Sequence, residues 1–147
     1  MFGYRSNERS YNFFNTLQTD FNNYFSSVKA DIAKNENRDF SDITDERVYK
    51  EIRSWLETDM NMKGGISDII CGFTDSKAGT YGHSKKDYYT DKNISNEAFA
   101  HFFEAGMSES SVKIDYIKEL FPNSYNTYLE MVNDALRNRS IIRAFII

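Results

Sequence analysis

Apolar side chains recur at three- and four-residue steps along most of this 147-residue chain, a spacing typical of amphipathic α-helices that bury one face. The steps predict five helices, over residues 7–34, 43–60, 95–106, 111–120 and 123–138. Ser95 is expected to cap the third helix and Gly106 to end it, while Pro122 suits the start of the last. Gly64 and Gly65 are expected to end the second helix and to permit a sharp turn.

Three segments lack a clear helical period. Residues 66–73 are apolar but short, so the pattern leaves open a two-turn helix or a buried strand. Residues 74–93 are polar and contain glycines, which predicts a long irregular loop of the kind that often carries function. The apolar tail at 140–147 is either a buried strand or a docking surface.

These elements predict one domain over residues 1–147 with a mainly α fold. We expect a compact bundle of five to six helices, the irregular loop at about 74–93, and at most a small strand element. Aromatic residues make up 16% of the chain, which supplies the large rings that fill a core. The predicted core consists of Phe14, Leu17, Phe21, Val28, Val48, Ile52, Trp55, Ile69, Phe99, Phe103, Leu120, Leu129 and Val132.

Charge and cysteine content exclude several classes of protein. The formal net charge of −4 argues against non-specific nucleic-acid binding, which needs a dense basic surface. Cys71 is the single cysteine, so an internal disulfide and a cysteine-based zinc site are excluded, and a reducing compartment fits best. No apolar run is long enough to span a membrane, and residues 1–10 lack the apolar core of a secretory signal. The expected location is the cytoplasm.

The helix predicted over 95–106 carries the most suggestive side chains. Glu97, His101 and Glu104 stand at i, i+4 and i+7 and therefore share one helical face. An acid and an imidazole on one face can hold a metal ion or relay a proton. The alternative is a solvated stripe that only stabilises the helix, because one glutamate and one histidine are too few ligands for a closed metal site.

The predicted loop adds three further candidates. His83 is the only other histidine, and with His101 and Glu97 it would complete a set of two histidines and one carboxylate. Tyr88 and Tyr89 are placed to donate to an anionic intermediate. The alternatives are a histidine that hydrogen-bonds locally and a tyrosine pair used in packing. Phosphate-binding glycine loops and a nucleophile elbow are absent from the sequence.

The segments SNEAFAHFFEA (95–105) and FPNSY (121–125) resemble the C-terminal part of zincin-type metallopeptidase domains related to the anthrax lethal factor catalytic domain. Such domains occur in toxins and in phage head-associated proteins, and the resemblance covers about residues 62–136. It implies that Glu97 occupies the position of the third zinc ligand. It also implies that Tyr88 or Tyr89 occupies the position of a transition-state donor.

The chain departs from that family where the chemistry begins. A zincin needs an HExxH helix, in which two histidines bind zinc and the glutamate is the general base. Neither histidine here is followed by glutamate. The resemblance therefore implies a zincin-like domain that lacks its catalytic helix, so catalysis by this chain alone is not expected.

We therefore predict a non-catalytic protein-binding module, a phage or mobile-element accessory factor that binds and inhibits a protein of its bacterial host. No cofactor is expected, with zinc at Glu97 as the alternative. Its partner would be a protein rather than a nucleic acid or a membrane, and the chain a monomer or homodimer. Two other functions stay open: the back half of a zinc metallopeptidase whose HExxH comes from another chain or a longer precursor, and a structural domain of a virion. The predicted binding residues are His83, Tyr88, Tyr89, His101 and Glu104.

Overall fold

Six α-helices account for most of the part of the chain that the computed structural model describes, residues 11–80 and 90–146. A 3₁₀ turn at Phe40–Asp42 lies between the first two helices, and the described ranges contain no strand. The mainly α fold with five to six helices is thereby confirmed. The helices are α1 (Phe13–Glu36), α2 (Asp45–Glu57), α3 (Met60–Thr74), α4 (Asp91–Met107), α5 (Ser111–Leu120) and α6 (Pro122–Ile146).

Side-chain caps set where three of the helices begin. Thr44, Thr90 and Ser110 each accept a hydrogen bond from the backbone N–H three residues further on, which satisfies a donor that the first helical turn leaves free. The prediction that Ser95 caps a helix is therefore wrong, because Thr90 caps α4 instead. Ser95 is buried inside α4, where its Oγ donates to the carbonyl of Asp91.

Gly64 and Gly65 do not end a helix. They lie inside α3, which begins at Met60 and runs to Thr74. A glycine in a helix interior costs about 1 kcal/mol relative to alanine, but burial of Ile66, Ile69 and Ile70 offsets that loss. Residues 66–73 are accordingly helical, and the strand alternative is wrong.

The other boundaries differ less from the predictions. α4 ends at Met107, one residue beyond Gly106, and Pro122 is the first residue of α6, as expected. Residues 140–146 continue α6, so the strand alternative for this tail is wrong, while its use as a docking surface stays a prediction. Within the predicted loop, 75–80 is irregular, whereas 91–93 already belongs to α4. Residues 81–89 lie outside the described residues.

The core forms around α1, which contacts each of the other five helices. Phe13, Phe102 and Phe121 are fully buried, and the rings of Phe13 and Phe102 meet edge to face with centroids 6.0 Å apart. Two predicted core residues are wrong: Phe103 is 43% exposed and Leu129 is 41% exposed. The remaining predicted core residues are buried or half-buried, namely Phe14, Leu17, Phe21, Val28, Val48, Ile52, Trp55, Ile69, Phe99, Leu120 and Val132.

Two buried charged side chains have the partners they need. Asp20 on α1 accepts hydrogen bonds from the backbone N–H and the Oγ of Ser124 and from Nδ2 of Asn123, at 2.7–2.9 Å, and so caps α6. The ammonium group of Lys63 donates a hydrogen bond to the backbone carbonyl of Trp55, and its Nζ lies 4.0 Å from the centroid of the Trp55 ring. No helix within the described ranges combines the length and apolar character that crossing a membrane requires.

Candidate metal centre

The packing of α3 against α4 brings three metal-ligating side chains together. His101 Nε2 lies 3.0 Å from Asp68 Oδ2 and 3.6 Å from Glu97 Oε2. One donor atom from each of Asp68, Glu97 and His101 falls within 4.8 Å of the others. Asp68 comes from α3, while Glu97 and His101 come from successive turns of α4. We call these three residues the acid–histidine cluster.

Gly65 makes room for this arrangement. A Cβ atom at this position would stand 2.8 Å from Nδ1 and 2.9 Å from Cγ of His101, closer than non-bonded atoms approach. The imidazole therefore packs directly on the backbone of α3. Because Asp68 lies nearly one turn after Gly65, the same surface of α3 supplies both the seat of the ring and its carboxylate partner.

Glu104 lies on the opposite edge of the imidazole. Its Oε2 is 3.9 Å from His101 Nδ1, and its Oε1 is 2.9 Å from the ammonium of Lys113 on α5. The hydrogen bond from Lys113 lowers the pKa of Glu104, with the charges of Lys113 and His101 acting in the same direction. Glu104 is therefore a charged neighbour of the cluster, and its own main partner is Lys113.

The charge state of His101 reflects a competition. Burial is the largest single influence and lowers the pKa of the imidazole, but the hydrogen bond and charge of Asp68, with Glu97 and Glu104, outweigh it. The net effect is a pKa above the ordinary histidine value of 6.5. Without a metal ion, the cluster favours an imidazolium surrounded by carboxylates.

The distances from His101 Nε2 to the two carboxylates suit a small divalent cation. Zinc binds nitrogen and oxygen ligands at about 2.0–2.1 Å, which puts the donors of a tetrahedral site about 3.3 Å apart. The two separations from His101 Nε2, 3.0 and 3.6 Å, bracket that value, and the oxygens of Asp68 and Glu97 lie within 4.8 Å of each other. Three protein ligands leave a position for water or another ligand. The side chain of Asp68 is 8% exposed, whereas those of Glu97 and His101 are about a quarter exposed, so solvent reaches the cluster.

A cavity of about 220 Å³ lies beside the cluster, between α3, α4 and α5. Its apolar lining includes Ile66, Ile69 and Ile117, and its polar lining includes His101 and the Glu104–Lys113 ion pair. The imidazole therefore borders both the cluster and the cavity, so a small ligand in the cavity would contact His101.

Three candidates from the sequence meet here, and one member of the cluster was missed. Glu97, His101 and Glu104 share a face of α4, as their spacing predicts. Asp68 escaped prediction because it stands 33 residues before His101 and in the segment 66–73, which the pattern left open as a helix or a strand. The available signal was its position as the single charged residue in the apolar run ISDIICGF. His83, Tyr88 and Tyr89 lie outside the described residues.

Comparison with known proteins adds no relative. The chain matches no protein-family model, no curated protein and no solved structure. The resemblance to zincin-type domains therefore stays a prediction, and the acid–histidine cluster is the feature from which function is argued.

Proposed function

We propose that this chain is a divalent-metal-binding domain in which Asp68, Glu97 and His101 hold one first-row transition ion, with zinc the preferred ion. The observation that carries the proposal is the convergence of one donor atom from each residue within 4.8 Å. A mixed imidazole and carboxylate set suits zinc or manganese better than magnesium, which prefers an all-oxygen shell.

The site differs from the one that the zincin resemblance implies. Glu97 has the same proposed role in both, but its partners here are Asp68 and His101 instead of two histidines from an HExxH helix. The buried carboxylate and the seat at Gly65 support a site that α3 and α4 form by themselves. Zinc bound there would supply a Lewis acid with one open position.

Calorimetric titration of the metal-free protein with Zn²⁺, Mn²⁺ and Mg²⁺ tests the proposal. We expect one zinc per chain, weaker manganese binding and no measurable magnesium binding. A zinc concentration one hundred times the Kd would stabilise the fold by about 2.7 kcal/mol, which corresponds to a rise in Tm of roughly 5–11 °C for a domain of this size.

Matched variants test which side chains bind the zinc ion. Asp68→Asn, Glu97→Gln and His101→Ala should each weaken zinc binding at least about tenfold, because each removes one of three ligands. Glu104→Gln is the control, since it neutralises a carboxylate on the opposite edge of the same ring. Unchanged zinc binding in each of the three single variants would contradict the proposal. So would a loss of affinity in Glu104→Gln as large as the loss in the three ligand variants.

A second proposal is that the chain is a non-catalytic protein-binding module, and the outer face of α4 supports it. Ala100, Phe103 and Met107 follow one another at helical spacing and are all exposed, Met107 by 70%. A stripe of this kind is typical of a contact surface. By the zincin resemblance, the partner that binds this surface is a protein of a bacterial host, which the chain inhibits.

Two sets of variants test this second proposal. Phe103→Ser with Met107→Ser should abolish binding of the host protein. Leu129→Ser, also at an exposed apolar residue, should not.

A further inference from the structure

A second candidate binding site, separate from the acid–histidine cluster, lies along α1. Two cavities of about 340 and 290 Å³ lie side by side there as a groove with shared lining residues. The α1 residues that line it extend from Asp20 to Asn35, fifteen positions apart, which corresponds to a length of about 22 Å. Both cavities share the residues Tyr24, Val28, Asp31 and Glu119. We call this feature the α1 groove.

The lining of the groove combines aromatic rings with aliphatic side chains. Tyr24 of α1 and Trp55 of α2 pack together with ring centroids 6.1 Å apart. Tyr24 and the half-buried Val28 line both cavities, while Lys63 Nζ already lies 4.0 Å from the centroid of the Trp55 ring. Aromatic rings attract lysine and arginine side chains through the negative charge of their faces, and aliphatic neighbours accept the methylene stems. The lining therefore suits a long cationic side chain.

The charge of the groove has one sign. Asp31, Glu51 and Glu119 line it, and none of the described residues that line either cavity is a lysine, arginine or histidine. Asp31 and Glu119 form no ion pair with any described residue, whereas Glu51 is 2.9 Å from Arg47. The pKa of Tyr24 is raised, first by burial and then by the charges of Glu119 and Glu51. The carboxylates of Glu119 and Glu51 therefore create a negative electrostatic potential at the phenol of Tyr24.

We propose that the α1 groove binds a lysine- or arginine-containing segment of a partner protein. A length of about 22 Å accommodates about seven residues of an extended chain. The groove offers the carboxylates of Asp31 and Glu119, which form no ion pair with a described residue, and the ring of Tyr24, which lines both cavities. A nucleic acid is unsuited because its phosphates would meet the same carboxylates. The interaction is independent of the acid–histidine cluster, which α3 and α4 form.

Trp55 provides the readout for the test. It is the single tryptophan of the chain and lines the groove. The full chain is titrated with a tryptophan-free peptide of alternating arginine and alanine, and with the same peptide carrying glutamate in place of arginine. We expect a saturable change in the emission of Trp55 with the basic peptide, and none with the acidic peptide. No change with either peptide would overturn the proposal.

Charge-matched variants separate the groove from general attraction to an acidic protein. Asp31→Asn with Glu119→Gln removes two groove carboxylates, and Glu57→Gln with Glu130→Gln removes two exposed carboxylates elsewhere. The first pair should weaken peptide binding about fivefold relative to the second, as expected for two ion pairs. Equal weakening by both pairs would overturn the proposal. So would displacement of the peptide by spermidine at an equal concentration, which would assign the groove to free polyamines.

Discussion

At the scale of single residues, Gly65 is the position at which local preference and tertiary contact act in opposite directions. Replacing a helical glycine with alanine usually stabilises a helix by about 1 kcal/mol, and Gly64 and Gly65 both have negative φ angles that alanine can adopt. At Gly64 a Cβ atom would meet nothing within 4 Å, whereas at Gly65 it would meet the His101 ring. The two adjacent glycines are therefore not equivalent.

We predict that Gly64→Ala stabilises the protein by about 0.5–1 kcal/mol. Gly65→Ala should instead destabilise it, because the same gain is outweighed by an overlap with His101 that costs about 1–3 kcal/mol. Urea unfolding in the presence of a chelator measures both variants. Zinc titration should show weaker binding for Gly65→Ala alone, since the displaced imidazole no longer faces Asp68. Equal stabilisation by the two substitutions would refute this role of Gly65.

At the scale of helices, Asp20 joins two elements that are distant in sequence. Its carboxylate accepts hydrogen bonds from the first turn of α6, 103 and 104 residues further along the chain. A negative charge near a helix N-terminus is favourable, and the buried N–H and Oγ of Ser124 have their acceptor in Asp20. Asp20 therefore acts as the cap of α6 while belonging to α1.

Asp20→Ala is expected to destabilise the protein by about 1–3 kcal/mol, because it leaves buried donors of α6 without an acceptor. Thr19→Ala changes the exposed neighbouring residue and should have little effect. Chemical denaturation gives the change in the free energy of unfolding. Hydrogen exchange then locates it, since the amide of Ser124 should lose protection in Asp20→Ala. Protection that stays unchanged would contradict the capping role.

At the scale of the whole molecule, the fold makes the free energy of unfolding fall as the pH becomes alkaline. Burial, followed by the charges of Glu119 and Glu51, raises the pKa of Tyr24 above the ordinary value of 10.0. An ionised tyrosine is thus more favourable in the unfolded chain. The stability from neutral Tyr24 is complete below pH 10.0 and is lost as pH rises toward the pKa in the folded state.

Tyr24→Phe should therefore make the protein less sensitive to alkaline unfolding. Above pH 10.0 the free energy of unfolding should fall less steeply with pH for Tyr24→Phe than for the wild type. Glu119→Gln should also reduce the slope, though less, and Glu130→Gln serves as the control. Denaturant unfolding across an alkaline pH series measures the slopes. Parallel curves for wild type and Tyr24→Phe would show that the fold does not raise the pKa of Tyr24.

Much of the fold follows from patterns within ten or twenty residues. The spacing of Val48, Ile52 and Leu56 and the break at Pro122 predict helices that the structure confirms, because an amphipathic face and a missing N–H act locally. The errors arise where distant contacts intervene. Gly64–Gly65 remains helical because buried isoleucines hold α3 in place, and Phe103 is exposed because Phe102 occupies the inner face of α4.

The sequence by itself determined the mainly helical fold and the shared face of Glu97, His101 and Glu104, because helical periodicity depends only on spacing along the chain. Tertiary structure alone decided which groups those side chains meet. It brought Asp68 to His101, placed the imidazole on Gly65, and aligned Asp31 and Glu119 along one groove. Contacts of this kind depend on how helices pack, and local spacing carries no information about residues that lie on different helices.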